Sequence, residues 1–171
     1  MPDMTTGKVN QGFNLFIDGQ GYAGKVLELE LPKLSIKKEE YQPGGYDAPV
    51  EVDLGMEKIE ANFTLADFDL NALKLFGLGH NKPVACTIRG ALGHGDGKVT
   101  PMVVQLQGMW GELEPPKMKR AEKFEMKVTV SCKYYKLEMD GQVVHEIDIE
   151  NMTRIIDGVD YLAEARAAIG I

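Results

Sequence analysis

Cysteine is scarce in this 171-residue chain, with only Cys86 and Cys132 present. Two are too few for a disulfide-stapled secreted scaffold, and they stand too far apart for a zinc knuckle. Histidine is scarce too. His80, His94 and His145 are widely separated, and no H-x-x-x-H or C-x-x-C spacing accompanies them to hold zinc. No window approaches the roughly 20 apolar residues that a membrane-spanning helix needs. Met1–Asn14 shows no apolar run behind a basic region, so no signal peptide is expected. Positive charge is in the minority, 19 basic residues against 26 acidic, for a formal net charge of −7. That balance disfavours a general affinity for nucleic-acid phosphate or anionic lipid, both of which call for basic patches. What is there is ordinary globular composition, 44% hydrophobic and 26% charged. The length suits one domain with its own core, so residues 1–171 are read as a single soluble domain made inside a cell.

Period-two alternation dominates the chain, the mark of strands with one buried face. Leu27, Leu29 and Leu31 alternate with Glu28 and Glu30, and Ile59, Ala61, Phe63 and Leu65 with Lys58, Glu60, Asn62 and Thr64. The longest run, Phe124–Tyr134, sets Met126, Val128, Val130 and Cys132 against Lys127, Thr129, Ser131 and Lys133. Shorter candidates are Asn14–Asp18, Val50–Leu54, Val84–Leu92, Val99–Gln107 and Val143–Ile149, and Asp140-Gly141 is a strong hairpin signal. Leu70, Leu73 and Phe76 repeat at helical spacing, with Asp67 or Asp69 to cap the start and Gly77 to stop it. A short terminal helix is expected over Val159–Arg166, with Asp157 or Asp160 as its cap. The sum is a mainly antiparallel β-sandwich or barrel with one internal and one short C-terminal helix. Cys132, in step with Val130, should face the core as a reduced thiol. The alternation around Cys86 is poorer and leaves its side open.

Two glycine-rich strings invite a nucleotide reading and fail on context. Gly19-Gln20-Gly21-Tyr22-Ala23-Gly24 fits G-x-G-x-x-G, but a strand follows it where a helix N-terminus would have to meet the pyrophosphate. In Gly90–Val99, Leu92 stands where a phosphate loop needs glycine, and Val99 replaces the magnesium-binding hydroxyl residue. A flexible hairpin suits that string better. Neither cysteine has a marked histidine partner or oxyanion site, so no enzyme activity, metal or cofactor is expected. One segment is left unexplained by chemistry. Glu39–Pro49 joins two strands with about a dozen residues, long for an antiparallel connection. It carries Tyr41, Pro43, Gly44, Gly45, Tyr46, Asp47 and Pro49. A docking loop is one reading, because tyrosines offer contact area and prolines lower the cost of ordering; a plain surface loop is the other.

Several strings, taken in order, carry a family likeness: Asn14–Gly19, Leu31–Leu34, Tyr41 through Gly44-Gly45 to Val50, Asp53–Gly55, Tyr134–Gly141, Glu146–Asp148, and Asn151 through Asp160 to Gly170. Together they resemble the major tail tube proteins of contractile-tailed bacteriophages and R-type pyocins. Met1–Val9 and the hairpin at Gly90–Thr100 are the least family-like stretches.

The resemblance implies a β-sandwich with a helix, six copies closing into a ring, and rings stacking into a hollow tube for DNA delivery or envelope puncture. It implies that strands near Lys33–Glu40, Glu57–Leu65, Met102–Gln107 and Phe124–Tyr134 line the tube, and that the Tyr41–Pro49 loop reaches the next ring. Glu60, Asn62, Thr129 and Ser131 are then candidates to face the lumen, with Lys58, Lys127 and Lys133 partly offsetting a negative potential there. The implied partners are further copies of the chain, a sheath protein outside, baseplate and tail terminator proteins at the ends, and a tape-measure protein within. In a phage, DNA would pass through the lumen without sequence-specific binding, and no membrane is bound. The implied location is a virion tail or tail-like particle assembled in the host bacterial cytoplasm. A type VI secretion tube protein is the second reading, and a monomeric ligand-binding β-barrel the third.

Overall fold

A computed structural model describes residues 7–77 and 82–171, which leaves His80 outside the described residues. The chain runs β1 (Val9–Ile17), β2 (Gln20–Gly21), β3 (Val26–Glu30), β4 (Ile36–Tyr41), β5 (Val50–Met56) and β6 (Ile59–Leu65) into α1 (Leu70–Leu75). It continues through β7 (Val84–Gly93), β8 (Val99–Glu114), β9 (Met126–Met139), β10 (Gln142–Asp148), β11 (Thr153–Ile156), β12 (Val159–Asp160) and α2 (Ala163–Ile169). Ten strands form one antiparallel sheet in the order β12-β11-β10-β9-β8-β7-β1-β2, with β6 added to β9 and β3 to β6. β4 and β5 stand apart as a two-stranded ribbon.

The long strands β8 and β9 make the sheet turn a corner. Their outer halves, Met102–Gln107 and Tyr134–Met139, pair with each other while β7 and β10 flank them. Their inner halves, 108–114 and 127–132, pair with each other while β6 and β3 continue the sheet beyond β9. The break between the two parts is marked by bulges at Gln107/Gly108 and Trp110/Glu112. A bulge adds one residue to one strand and bends it, so these two redirect the whole sheet. Gly108 is required at the bend, because a Cβ there would stand 2.0 Å from the Ser131 carbonyl oxygen. The two parts close over a shared core of Leu15, Ile17, Cys86, Ile88 and Leu106 on one side and Ile59, Phe63, Val128 and Val130 on the other. Trp110 is fully buried between them and meets Phe63 edge-on, with ring centroids 5.3 Å apart.

Local signals set the ends of most elements. Asp69 caps α1 by accepting from the Asn71 and Ala72 amides at 2.7 and 3.2 Å. Asp18-Gly19 and Asp140-Gly141 take positive φ at both central positions of tight hairpins. The glycine-rich string after β1 is therefore a turn, as read from its context. Cys86 and Cys132 are both free and buried, and burial pushes each thiol up to about 12. Around Cys86, burial does alternate through Val84, Cys86 and Ile88.

Four expectations need correction. β8 does not stop at Gln107 but runs to Glu114, because Gly108 and Gly111 act as bulge residues rather than breakers. β9 starts at Met126 and leaves Phe124 in the preceding loop, tilted against Phe68 at 6.2 Å. Leu27 falls at a bulge in β3 and is half exposed, whereas Leu29 keeps its inward side. Val159 lies in a strand, not a helix: the Asp157-Gly158 turn folds the chain back to pair Ile156 with Val159. Asp160 then accepts from the Leu162 and Arg154 amides and pairs with Arg166, while α2 begins at Ala163 without a side-chain cap.

Candidate functional site

Two surfaces draw together the residues that the sequence singled out. The first is the outer face of the four strands β3, β6, β9 and β8 beyond the corner. Strand register sets side chains of one face in rows across a sheet. One row reads Glu30, Asn62, Thr129, Glu112, and the next reads Glu28, Thr64, Lys127, Glu114. A third pairs Glu60 with Ser131 and Met109. Glu60, Asn62, Thr129 and Ser131 thus share one face, as the alternation predicts. Thr129 donates to Asn62 Oδ1 at 2.8 Å, and Asn62 donates to Glu30 at 3.2 Å, so the first row is hydrogen-bonded for most of its width. Lys58 neutralises Glu60 in an ion pair. The glutamates at both flanks, Glu28 and Glu30 on β3 and Glu112 and Glu114 on β8, were missed. Alternation put Glu28 and Glu30 on a polar face, but nothing local says that β3 joins β6.

This four-stranded part also has two open edges among the described residues. β3 pairs with no strand but β6, and the 109–114 stretch of β8 pairs with no strand but β9, its Trp110 carbonyl also accepting from the Gly77 amide at 3.3 Å. Successive strands alternate in direction, so β3 and β8 run opposite ways. An open backbone edge is a template for another strand.

The second surface is the β4–β5 ribbon. Lys33–Glu40 therefore shares no sheet with β6 and β9 within one chain, and Met102–Gln107 lies in the outer half of β8, before the corner. At the ribbon's tip the Tyr46 amide donates to the Pro43 carbonyl at 3.1 Å, and Gly45 takes φ +99°. That is a tight reversal of the kind that requires glycine at its third position. Tyr41 and Tyr46 are 58% and 53% exposed. One side of the ribbon carries Tyr41 opposite Val50 and Glu39 opposite Val52; the other carries Glu40 opposite Glu51 and Lys38 near Asp53. No ribbon residue is buried, and Val50, Val52 and Leu54 are all exposed apolar groups.

The ribbon is tied down at its base. Arg154 of β11 donates to Asp53 at 2.8 Å, and the Gly55 amide donates to the same carboxylate. The Arg154 hydrogen bond, followed by the Gly55 amide, lowers the Asp53 pKa. A depressed carboxylate contributes its stabilisation above its unfolded pKa of about 3.9 and loses it as pH falls through the lower folded value. Protection factors of the β4 and β5 amides, which correct for the intrinsic pH dependence of exchange, should therefore be steady near neutrality and fall on acidification below that range. Arg154→Ala should give the lower protection already at neutral pH, and unchanged protection in that variant would show the ribbon is held otherwise.

Among the described residues, no group of three or more His, Cys, Asp or Glu side chains is placed to hold a metal ion. No helix among them is long and apolar enough to cross a membrane. The two surfaces offer open backbone edges and concentrated charge.

Comparison with known proteins agrees with that character. Residues 8–170 match the family described as phage tail tube protein FII. The chain is 31% identical over 162 residues to the tail tube protein of Escherichia phage P2, covering 92% of this chain and 94% of that one. It is 29% identical over 148 residues to the major tail tube protein of Serratia phage KSP20, covering 85% of each. Its fold is similar to a chain in the sheath-tube complex of an extracellular contractile injection system, with TM-score 0.56, 11% identity, and coverage of 74% and 87%. A chain of that system's sheath/tube terminator matches with TM-score 0.58 at 12% identity, covering 75% of this chain and 94% of that one. The chain belongs to the phage tail tube protein family and is a structural tube subunit.

Proposed function

We propose that six copies close into a ring through the two open edges, and that rings stack into the hollow inner tube of a contractile tail. The observation that carries this reading is the pair of oppositely directed free edges on one four-stranded unit. The β8 edge of one copy can pair with the β3 edge of the next and keep the antiparallel alternation all the way round. Ring closure then leaves neither of these two edges exposed. The rows bearing Glu30, Asn62, Thr129 and Glu112 then face the lumen, with Glu60 and Ser131 beside them. Each copy presents five glutamates there against Lys58 and Lys127, so the wall is acidic. Such a wall repels phosphate and lets DNA slide, because binding grows with each cation that meets the backbone. The protein acts by assembling and not by catalysis. The outer surface takes a sheath protein, and baseplate and terminator proteins cap the ends, in a virion tail or tail-like particle.

The test is retention of a labelled DNA duplex by purified tubes at low salt. Wild-type tubes should retain none. Tubes of Glu30→Lys/Glu112→Lys should form normally and retain it, with binding that falls steeply as salt rises. Equal exclusion by both would mean that this face does not line the channel.

A further inference from the structure

The four-stranded face ends differently at its two ends, and the difference is one of charge. Register places Leu65 opposite Met126 and Val26 at one end, and Ile59 opposite Cys132 at the other, roughly 20 Å away along the strands. At the Leu65 end, β8 and β9 are joined by residues 115–125, which hold Lys117, Lys119, Arg120 and Lys123 against Glu122 and Glu125. This is a basic loop in a chain of net charge −7. Lys119 pairs with Glu122 at 2.6 Å, while among the described residues no carboxylate lies within ion-pair distance of Lys117, Arg120 or Lys123. At the opposite end β3 leads into the ribbon and the ribbon returns into β6, so the ribbon springs from there. It carries five carboxylates, Glu39, Glu40, Asp47, Glu51 and Asp53, against Lys37 and Lys38. Glu51 is paired with Lys38 and Asp53 with Arg154, which leaves Glu39, Glu40 and Asp47 without an ion-pair partner among the described residues.

We infer that the basic 115–125 loop is the receptor for the acidic ribbon of a copy in the adjoining ring. The inference rests on the tube reading above. If the four-stranded face lines a channel, its two ends are the two faces of the ring. Head-to-tail stacking sets one ring's ribbon end against the next ring's loop end at every junction. Three free cations then meet three free anions in each copy. Opposite charges steer the rings together and fix which face meets which, since ribbon against ribbon or loop against loop would repel. Met118, 80% exposed at the centre of the basic loop, gives Tyr46 at the ribbon tip an apolar surface to cover.

The experiment compares four proteins expressed with their tail and scored for tubes by electron microscopy, each checked for β structure by circular dichroism. They are the wild type, Lys117→Glu/Arg120→Glu/Lys123→Glu, Glu39→Lys/Glu40→Lys/Asp47→Lys, and the chain carrying both sets. Each single reversal should cut tube number by about tenfold or more, and the combined reversal should restore it. Single reversals that assemble like the wild type would overturn the inference while leaving the tube reading intact. So would a folded combined variant that fails to recover. A wild type that forms no tubes would overturn the tube reading and this inference with it.

Discussion

Gly108→Ala should destabilise the fold by about 3 kcal/mol or more, the cost of a core overpacking that neighbours cannot relieve. Gly108 is buried in the bend of β8, and an added Cβ would lie 2.0 Å from the Ser131 carbonyl oxygen and 2.9 Å from the Cys132 Cα. Both obstacles are backbone of β9, so only a shift of the corner itself makes room. For a domain of this size each kcal/mol moves the midpoint by roughly 2–4 °C, so thermal melting should drop by about 6–12 °C. Gly111→Ala is the matched control. Its Cβ would meet nothing nearer than the Ser131 hydroxyl at 3.8 Å, and melting should change by a degree or two, on the order of 0.5 kcal/mol. Equal melting of the two variants would contradict the account of how the sheet turns.

Replacing Tyr41–Pro49 with a short Gly-Ser linker should leave the fold nearly intact and abolish long tubes. The core cluster takes none of its buried residues from the ribbon, so removing its tip forfeits little packing. Assembly loses both exposed tyrosine rings and the exposed Asp47 carboxylate. Tyrosine at a contact buries its ring while its hydroxyl finds a polar partner. Circular dichroism should keep its β signal, while electron microscopy finds single rings or monomers in place of tubes. Normal tubes from the folded variant would place the contact between rings elsewhere.

Strands with one buried face were legible because burial imposes a period of two on the sequence, as in β6 and β9. The long β8 was not, since its two bulges break the period at Gly108 and Gly111, and at Gly108 the bend needs the missing Cβ. β4 escaped for the opposite reason. None of its residues is buried in one chain, so no apolar alternation marks it. Its identity as a strand came only from likeness to tail tube proteins. That Glu60, Asn62, Thr129 and Ser131 share one face was legible because their neighbours alternate with them. The flanking Glu30 and Glu112 are set by which strands pair, and pairing between distant strands leaves no local mark. The loop-to-ribbon charge difference was equally invisible, because the two ends of a sheet are defined only once register is known.

A reconstruction of assembled tubes by electron cryomicroscopy tests the central claim most directly. The account predicts six copies per ring, each giving β3, β6, β9 and the 109–114 stretch of β8 to a continuous inner barrel. Hydrogen bonds should join the β8 edge of one copy to the β3 edge of the next, with Glu30, Asn62, Thr129 and Glu112 on the channel wall. A different rotational order, or a channel lined by another face of the sheet, would contradict it.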